Sequence, residues 1–325
     1  MEILEKLGLA PNTFDGRIAV VTGAARGIGE QVARALAHLG AHVIILDMRE
    51  LGQSVADDIV SSGGYAEFIS VDLTAADRLS AVQTAILARH GRVDILVNNA
   101  SRCESAAFLE TQLAVWDALY QTTVRASASL IRAFLPVMQK NRFGIICNTV
   151  AAEGLSWAAH FSSAMVGQRS MILSLAGEIA AKDGVSVLGF APGVVDTPLV
   201  REDTEALRYY GMSLEEWAKD FVDNPGYEGL MPAAHCAASY VYCLAHARAY
   251  HGQIADAFHP LINHGVITPK ERDPTEPTGL TDNISAAVLQ CSQYVQGISS
   301  VNRNLELRIE ERTAELKAAN QRLAD

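Results

Sequence analysis

The chain has 325 residues, of which 49% are hydrophobic, and a formal net charge of −11 at pH 7. This length suffices for one large or two small domains with a sizeable core. The acidic balance offers no basic stripe to neutralise phosphates, which argues against a nucleic-acid partner. Residues 1–9 lack the long apolar region of a signal peptide, and no apolar run is long enough to cross a bilayer.

The cysteines give no sign of a covalent framework. Five of them are widely scattered, at Cys103, Cys147, Cys236, Cys243 and Cys291. Neither a CxxC nor an HExxH spacing occurs, so the spacing supports neither a disulfide framework nor a zinc site. We therefore expect a cytoplasmic protein without a metal.

Strand-like apolar runs alternate with helix-period segments from Gly16 to about Gly265. The runs occupy Arg17–Thr22, His42–Asp47, Ala66–Asp72, Asp94–Asn98, Gly144–Thr149 and Val185–Ala191. Most are short, β-branched and apolar on both faces, which is typical of a parallel sheet covered on both sides. The segments between them are long enough for crossover helices. The sequence thus predicts an α/β fold with a doubly wound parallel sheet.

Composition divides the chain into four predicted segments. Residues 1–13 form an N-terminal helical segment, and 14–267 form the α/β domain. Residues 268–283 are a linker, because Thr268–Thr281 carries three prolines and mixed charges. Residues 284–325 form a C-terminal helix.

A glycine-rich turn directly follows the first predicted strand. It reads TGAARGIG, from Thr22 to Gly29, and a helical pattern follows it. Such glycines allow a tight turn and let backbone N–H groups approach a pyrophosphate at the start of the helix. Asp47 ends the second strand, where a carboxylate accepts hydrogen bonds from the adenosine ribose and repels a 2′-phosphate. A structural glycine turn without nucleotide is the alternative.

Residues 14–265 resemble the short-chain dehydrogenase/reductase family, a Rossmann-type fold. The resemblance rests on TGAARGIG at 22–29, Asp72 in VDLT, NNA at 98–100 and PGVVDTP at 192–198. It implies NAD binding, with NADP less favoured, although a basic residue such as Arg26 is sometimes tied to NADP preference. The implied cofactor contacts are Gly23, Arg26, Gly27, Ile28, Gly29, Asp47, Met48, Asp72, Leu73, Asn99, Ala100, Pro192, Gly193, Val195 and Thr197.

The resemblance also gives a register for the four groups that transfer protons in the family. The family's asparagine, serine, tyrosine and lysine fall here on Thr123, Ala151, Phe161 and Met165, and no Tyr-x-x-x-Lys occurs anywhere in the chain. Loss of one general acid–base group removes roughly two to four powers of ten in rate. We therefore assign no catalytic residue and expect no dehydrogenase activity.

A ligand pocket is predicted beside these positions. Its expected lining is Arg102, Ala151, Trp157, Phe161, Met165, Val194 and Trp217. The apolar replacements favour a hydrophobic ligand, or they reflect relaxation after activity was lost. Leu199–Met231 occupies the position of the family's substrate loop. His160 is interpreted as a structural histidine, with an alternative base as the second interpretation, because adjacent helical side chains diverge by about 100°.

The C-terminal helix carries a regular apolar seam. From Ile284 its positions are 288, 291, 295, 298, 302, 305, 309, 312, 316, 319 and 323, which alternate in steps of four and three. This pattern predicts a coiled coil on the order of 60 Å long, whose polar members Asn302 and Arg312 fix register. A single amphipathic helix packed on the domain is the alternative. Residues 301–323 also resemble the signalling helices of bacterial sensor proteins.

The combined hypothesis is a catalytically degenerate sensor domain. It binds NAD(H), a small apolar ligand, or both, and signals through a dimeric coiled coil. The resemblance implies a homodimer through helices at Trp116–Gln139 and Ala164–Ile179. We expect an output domain of the histidine kinase or nucleotide cyclase type after Asp325. An active NAD(P)-dependent oxidoreductase with a rearranged site and a pure oligomerisation scaffold are the alternatives.

Overall fold

A computed structural model describes residues 2–151, 155–180, 183–203, 207–208 and 211–269. The predicted linker from residue 270 onward and the whole predicted coiled coil lie outside the described residues. Within the described residues, seven parallel strands form the central sheet: β1 (Ile18–Thr22), β2 (His42–Asp47), β3 (Tyr65–Ser70), β4 (Ile95–Asn98), β5 (Gly144–Thr149), β6 (Val185–Ala191) and β9 (Ile254–Asp256). Their order across the sheet is β3-β2-β1-β4-β5-β6-β9. The predicted doubly wound α/β fold is confirmed.

Helices connect the strands and cover both faces of the sheet. They are α1 (Glu2–Lys6), α2 (Gly27–His38), α3 (Leu51–Ser61), α4 (Ala76–His90), α5 (Leu113–Tyr120), α6 (Ala126–Asn141), α7 (Ala159–Glu178), α8 (Pro198–Glu202), α9 (Leu214–Phe221), α10 (Ala233–Ala245) and α11 (His259–Asn263). A π-helical turn, Gln121–Arg125, joins α5 to α6. A two-stranded ribbon pairs β7 (Val195–Asp196) with β8 (Met231–Pro232).

The strands form because their residues are buried on both faces. Four of the five residues of β1 and five of the six residues of β2 are buried. One hydrophobic core packs α2 and α10 against one face, and a second packs α4 and α6 against the other. Burial on both sides explains why these runs are apolar throughout rather than alternating. Within the described residues, no helix combines the length and apolarity needed to cross a membrane.

The position of the candidate ligand site follows from the point at which the strand order reverses. The chain runs from β1 outward to β3 and then returns to β4 on the other side of β1. The carboxyl ends of β1 and β4 therefore border a crevice, and ligands of open α/β sheets bind at such a switch point. The glycine-rich turn follows β1, and Asn99 follows β4.

Candidate nucleotide-binding site

The glycine-rich turn is shaped for close backbone approach. Gly23 and Gly27 have φ of +65° and +64°, in the left-handed region that favours glycine. A Cβ on Gly29 would lie 2.3 Å from the carbonyl oxygen of Gly23, so that position accepts no side chain. Helix α2 begins at Gly27, and Ile28 lies in its first turn. The free N–H groups of this turn suit a pyrophosphate.

The turn is tied to the end of β4 through one threonine. Thr22 is buried, and its Oγ1 accepts hydrogen bonds from the backbone N–H groups of Asn99 and Ala100, each at 3.0 Å. The amide Nδ2 of Asn99 donates to the carbonyl of Thr22 at 3.2 Å. These contacts bring together two motifs that lie far apart in the sequence. They hold the glycine-rich turn against the carboxyl end of β4.

Asp47 ends β2 and supports the same turn. It is 9% exposed, and its Oδ2 accepts a hydrogen bond from the backbone N–H of Ala25 at 3.0 Å. Its Oδ1 accepts from the N–H of Arg49 at 3.0 Å. An ionised carboxylate has about four acceptor sites, so two remain for ribose hydroxyls. Met48 beside it is exposed and suits the rim of an adenosine site.

Asp72 and Leu73 follow β3 at the same edge of the sheet. Asp72 is exposed and accepts hydrogen bonds from the N–H and Oγ1 of Thr74, at 2.9 and 2.8 Å. Leu73 is buried in the core beneath it. Both residues therefore lie at the carboxyl edge of the sheet, and their contact with adenosine stays a prediction from the family resemblance.

The segment that follows β6, at residues 192–194, is held by Asn224, which was not among the predicted site residues. Asn224 is buried, and its Oδ1 accepts from the N–H of Val194 at 3.2 Å. Its Nδ2 donates to the carbonyls of Val194 and Gly229, both at 2.7 Å. Gly193, after the buried Pro192, has φ of +72°, and an added Cβ would lie 2.5 Å from the ring of Phe258. This clamp fixes the backbone between β6 and β7.

Val195 and Thr197 follow the clamp directly. Val195 is buried in β7, and Thr197 is buried at the start of α8, where its Oγ1 accepts from the N–H of Val200 at 3.4 Å. A Cβ on Gly27 would lie 3.5 Å from the Thr197 side chain, so the glycine-rich turn faces this segment across the crevice. The two sides of the implied cofactor site thus meet.

The four positions onto which the resemblance places the family's proton-transfer groups hold Thr123, Ala151, Phe161 and Met165. Thr123 lies fully buried in the π-helical turn, and its hydroxyl donates to the carbonyl of Leu119 at 2.7 Å. Ala151 follows β5. Phe161 and Met165 lie one turn apart on α7, where Met165 is 3% exposed. Alanine, phenylalanine and methionine side chains have no proton to exchange.

The remaining predicted pocket residues occupy separate loops and helices. Arg102 is exposed, and its Nε lies 3.9 Å from Oε1 of Glu104. Trp157 precedes α7 with a φ of +62° and is partly exposed. Trp217 is half-buried on α9. Val194 is held by Asn224, as described above.

His160 is a buried polar residue next to Phe161 on α7. His160 is 2% exposed, and its ring lies 5.9 Å from the ring of Trp116 in an edge arrangement. Its Nε2 is buried without a hydrogen-bond partner among the described residues. Burial lowers the pKa of His160, against the opposing influence of Glu104 and Asp203. The imidazole is therefore neutral at pH 7.

The loop after β4 is anchored beside this histidine. The Oγ of Ser105 donates to Oδ2 of Asp203 at 2.6 Å, and its backbone N–H donates to Oδ1 at 3.2 Å. Burial raises the pKa of the neighbouring Cys103 thiol to about 12, so this cysteine is not a thiolate nucleophile at neutral pH. The hydrogen bonds between Ser105 and Asp203 join the loop after β4 to the end of α8.

The fold and the glycine-rich crevice define a nucleotide-binding α/β protein of the doubly wound class. A family model described as short chain dehydrogenase matches residues 17–208, more than half of the chain, so the chain belongs to the short-chain dehydrogenase/reductase family. The 3-oxoacyl-acyl-carrier-protein reductase of Escherichia coli is 33% identical over 191 residues, covering 58% of this chain and 77% of that protein.

Two solved structures extend the comparison. A protein from Beutenbergia cavernae with bound NADP has a TM-score of 0.68 and 29% identity, covering 76% of this chain and 97% of its own. A metagenomic short-chain oxidoreductase in complex with NADP has a TM-score of 0.54 and 36% identity, covering 56% of this chain and 85% of its own. The resemblance to the short-chain dehydrogenase/reductase family and the Rossmann-type fold are thereby confirmed. A nicotinamide dinucleotide is the shared cofactor class of these neighbours.

Proposed function

We propose that this domain binds a nicotinamide dinucleotide without transferring hydride, and that it acts as a sensor. The observation that carries the proposal is that residues suited to hold a dinucleotide are present, whereas the family's proton-transfer residues are replaced. Asp47, Thr22 and Asn224 hold the backbone that would receive the dinucleotide. The four neighbouring positions that would move protons hold Thr123, Ala151, Phe161 and Met165.

NAD is the proposed cofactor over NADP. The nicotinamide ring would supply hydride acceptance or donation when bound. The Asp47 carboxylate at the end of β2 disfavours a 2′-phosphate and favours ribose hydroxyls. NADP in the two structural neighbours supports the dinucleotide class but not this choice. Arg26, whose guanidinium pairs with Glu202 in this chain, is the residue that would favour NADP.

A second ligand would bind beside the nicotinamide position. The apolar ring of Trp116 lies against the imidazole of His160, whose Nε2 has no hydrogen-bond partner among the described residues. Pockets of this composition bind molecules with an apolar body and one hydrogen-bonding group. We therefore expect a small ligand carrying a carbonyl or a hydroxyl, with Arg102, Trp157 and Trp217 at its periphery.

Signalling would pass to the C-terminal segment. The seam from Ile284 to Leu323, outside the described residues, would form a parallel coiled coil in a homodimer. A bound dinucleotide would change the arrangement of the two coiled-coil helices only if the dimer with one arrangement binds it more tightly than the dimer with the other. The output domain would follow Asp325, and the domains would pair through α5–α6 and α7, which contain Trp116–Gln139 and most of Ala164–Ile179.

Binding and turnover are tested separately. Calorimetry on the full chain should show one NAD per subunit, and reduced-nicotinamide absorbance should stay constant with a broad panel of alcohols and carbonyls. The quadruple variant Thr123→Asn, Ala151→Ser, Phe161→Tyr and Met165→Lys should gain turnover. A triple variant that retains Phe161 is the matched control and should not. Absence of dinucleotide binding in the parent chain would end the proposal.

The sensing step has its own readout. Cys291 occupies a predicted seam position, so a cysteine-specific crosslinker should join two subunits there. The crosslinking rate should change when NAD is added, and Val295→Asp should abolish the crosslink by breaking the seam. A crosslinking rate independent of NAD, in a chain that binds NAD, would favour a passive oligomerisation scaffold.

An active oxidoreductase is the second candidate, and His160 is the observation that favours it. A buried neutral imidazole with a free Nε2 can act as a general acid–base group. This candidate expects turnover with some alcohol or carbonyl, at least about 100-fold slower in His160→Phe. His246→Phe, at an exposed histidine, is the control. A broad negative screen contradicts this candidate and leaves the binding proposal intact.

A further inference from the structure

Three side chains with metal-binding atoms meet at the end of the sheet opposite the nucleotide crevice. His42 begins β2, Glu67 lies in the edge strand β3, and His90 ends α4. One potential ligand atom from each lies within 4.8 Å of the other two. Twenty-five and twenty-three residues separate these positions along the chain, so no short spacing motif reveals the group.

The sheet register explains the convergence. Ile44 is paired with Glu67 across β2 and β3, so their side chains lie on the same face. Ile44 packs in the same core as Ile86 of α4, which identifies that face as the one α4 covers. His42 is two residues from Ile44 and shares its face. The last turn of α4 then brings His90 over both strands.

The two oxygens of Glu67 have different surroundings. Oε1 lies 2.6 Å from Nε2 of His90 and 3.9 Å from Nε2 of His42. Oε2 lies 2.6 Å from Nη1 of Arg89, whose side chain is 71% exposed. Arg89 therefore neutralises one oxygen from the solvent side. The other oxygen faces both imidazoles.

The distances are near those of a tetrahedral zinc site. Ligand atoms 2.0–2.1 Å from zinc lie about 3.3 Å apart in tetrahedral geometry. The recorded distances of 2.6 and 3.9 Å bracket that value, so side-chain shifts of about 1 Å would complete the set. The two imidazole rings stand nearly perpendicular, with centroids 5.1 Å apart.

The chemistry of the donors selects the ion. Two imidazoles and one carboxylate suit zinc and its neighbours in the first transition row, while magnesium prefers oxygen ligands and water. The side chains of His90 and Glu67 are largely buried, with 9% and 15% exposure.

We propose that His42, Glu67 and His90 form a zinc site with three protein ligands and one solvent position. The ion would join edge strand β3 to α4 and thereby stabilise the domain far from the nucleotide. This inference is independent of the proposed function, since it uses no residue of the crevice.

The test is zinc titration of the full chain without a polyhistidine tag, using a chromophoric chelator as competitor. One zinc per chain is expected, and saturating zinc should raise the urea midpoint, since a ligand of the native state stabilises it. Cobalt substituted for zinc should give the strong visible absorption of four-coordinate Co²⁺. Magnesium should not compete.

Variants locate the ion. Glu67→Gln, His42→Gln and His90→Gln should each weaken zinc binding by at least about tenfold. His246→Gln removes an exposed histidine outside the group and should leave affinity unchanged. If Glu67→Gln fails to fold, the two histidine variants decide. Zinc affinity that survives both histidine substitutions, or no stoichiometric binding by the parent chain, would overturn the proposal and leave a hydrogen-bonded ion cluster.

Discussion

Nη1 of Arg26 lies 2.5 Å from Oε1 of Glu202, which joins the glycine-rich turn to α8. The Arg26 side chain is 19% exposed and that of Glu202 is 60% exposed. The hydrogen bond from Arg26 lowers the pKa of Glu202. The one residue of the turn that would favour a 2′-phosphate is thus already paired with a carboxylate. NADP would have to displace Glu202, in addition to meeting the charge of Asp47.

Glu202→Gln should therefore shift selectivity toward NADP. Removal of the carboxylate frees Arg26 for a 2′-phosphate, so we expect NADP affinity to rise about three- to tenfold while NAD affinity changes little. Dissociation constants for both dinucleotides by calorimetry give the ratio. Asp196→Asn is the matched control, because it breaks the neighbouring exposed pair with Arg201. An unchanged ratio in Glu202→Gln would show that Arg26 has no part in cofactor choice.

The buried methionine on α7 gives a prediction on stability. Met165 is 3% exposed, so Met165→Lys places an ammonium group in an apolar site. The free energy of unfolding should fall by roughly 2–4 kcal/mol, and saturating NAD should restore part of it if the new lysine reaches the nicotinamide ribose. Urea unfolding with and without NAD measures both effects.

Met165→Leu serves as the volume-matched control for this experiment. That substitution should change the free energy of unfolding by less than about 1.5 kcal/mol. A lysine variant as stable as the leucine variant would mean that position 165 is open to solvent. The assignment of Met165 to the interior of the crevice would then be wrong.

The sheet was predictable because its strands are buried on both sides. The predicted bounds of Gly144–Thr149 and Val185–Ala191 match β5 and β6. The predicted bounds of the edge strand were shifted along the chain. The prediction was Ala66–Asp72, whereas β3 runs from Tyr65 to Ser70. Most of its residues are only partly buried, so the apolar pattern is weaker there, and Val71 and Asp72 extend beyond the paired residues.

Contacts between distant side chains were not predictable in the same way. Asn224 clamps Val194 from thirty residues away through its amide, and an isolated asparagine in a loop carries no periodic signal. The zinc-binding group likewise depends on strand register and on where α4 ends. The glycine-rich turn was found because its chemistry resides in consecutive backbone groups.

Asp94 provides a prediction on the stability of the sheet. It is fully buried just before β4, and its Oδ2 accepts from the backbone N–H of Ile18 at 2.9 Å. Its Oδ1 accepts from Arg92 and, at 3.4 Å, from Nη1 of Arg17. Asp94→Asn leaves both guanidinium groups without their carboxylate, and because both arginines are partly exposed, stability should fall by roughly 1–3 kcal/mol.

Urea unfolding measures this loss. Asp57→Asn is the control, because Asp57 is exposed and its side chain accepts a hydrogen bond from the neighbouring exposed Gln53 at 2.8 Å. That variant should stay within about 0.5 kcal/mol of the parent chain. An equal effect of the two substitutions would show that the Asp94 group contributes no more than a surface charge.

The pair formed by Asp256, at the end of β9, and His259 predicts that stability depends on pH. Oδ2 of Asp256 lies 2.5 Å from Nδ1 of His259, and its Oδ1 accepts from the backbone N–H of Phe258 at 2.8 Å. The hydrogen bond with Asp256 raises the pKa of His259. Burial opposes ionisation of Asp256, but the bonds from His259 and Phe258 outweigh it and lower the pKa of that carboxyl.

The pKa shifts of His259 and Asp256 define the pH range in which their interaction stabilises the fold. The raised pKa of His259 contributes stability below about pH 6.5, which is lost as pH rises through the folded-state value. The lowered pKa of Asp256 contributes stability above about pH 3.9, which is lost as pH falls through its folded-state value. The pair is therefore most stabilising at mildly acidic pH. Because the His259 side chain is 75% exposed, solvent screening keeps its contribution below about 1 kcal/mol.

His259→Gln should lower the urea midpoint more at about pH 5.5 than at about pH 8.5. The parent chain loses this interaction on its own as His259 deprotonates, so the two proteins should converge at alkaline pH. His246→Gln, at an exposed histidine whose Nδ1 lies 2.9 Å from the backbone carbonyl of Tyr242, corrects for general effects of removing an imidazole. A deficit for His259→Gln that stays constant between the two pH values would show that its bond to Asp256 does not depend on the charged imidazolium.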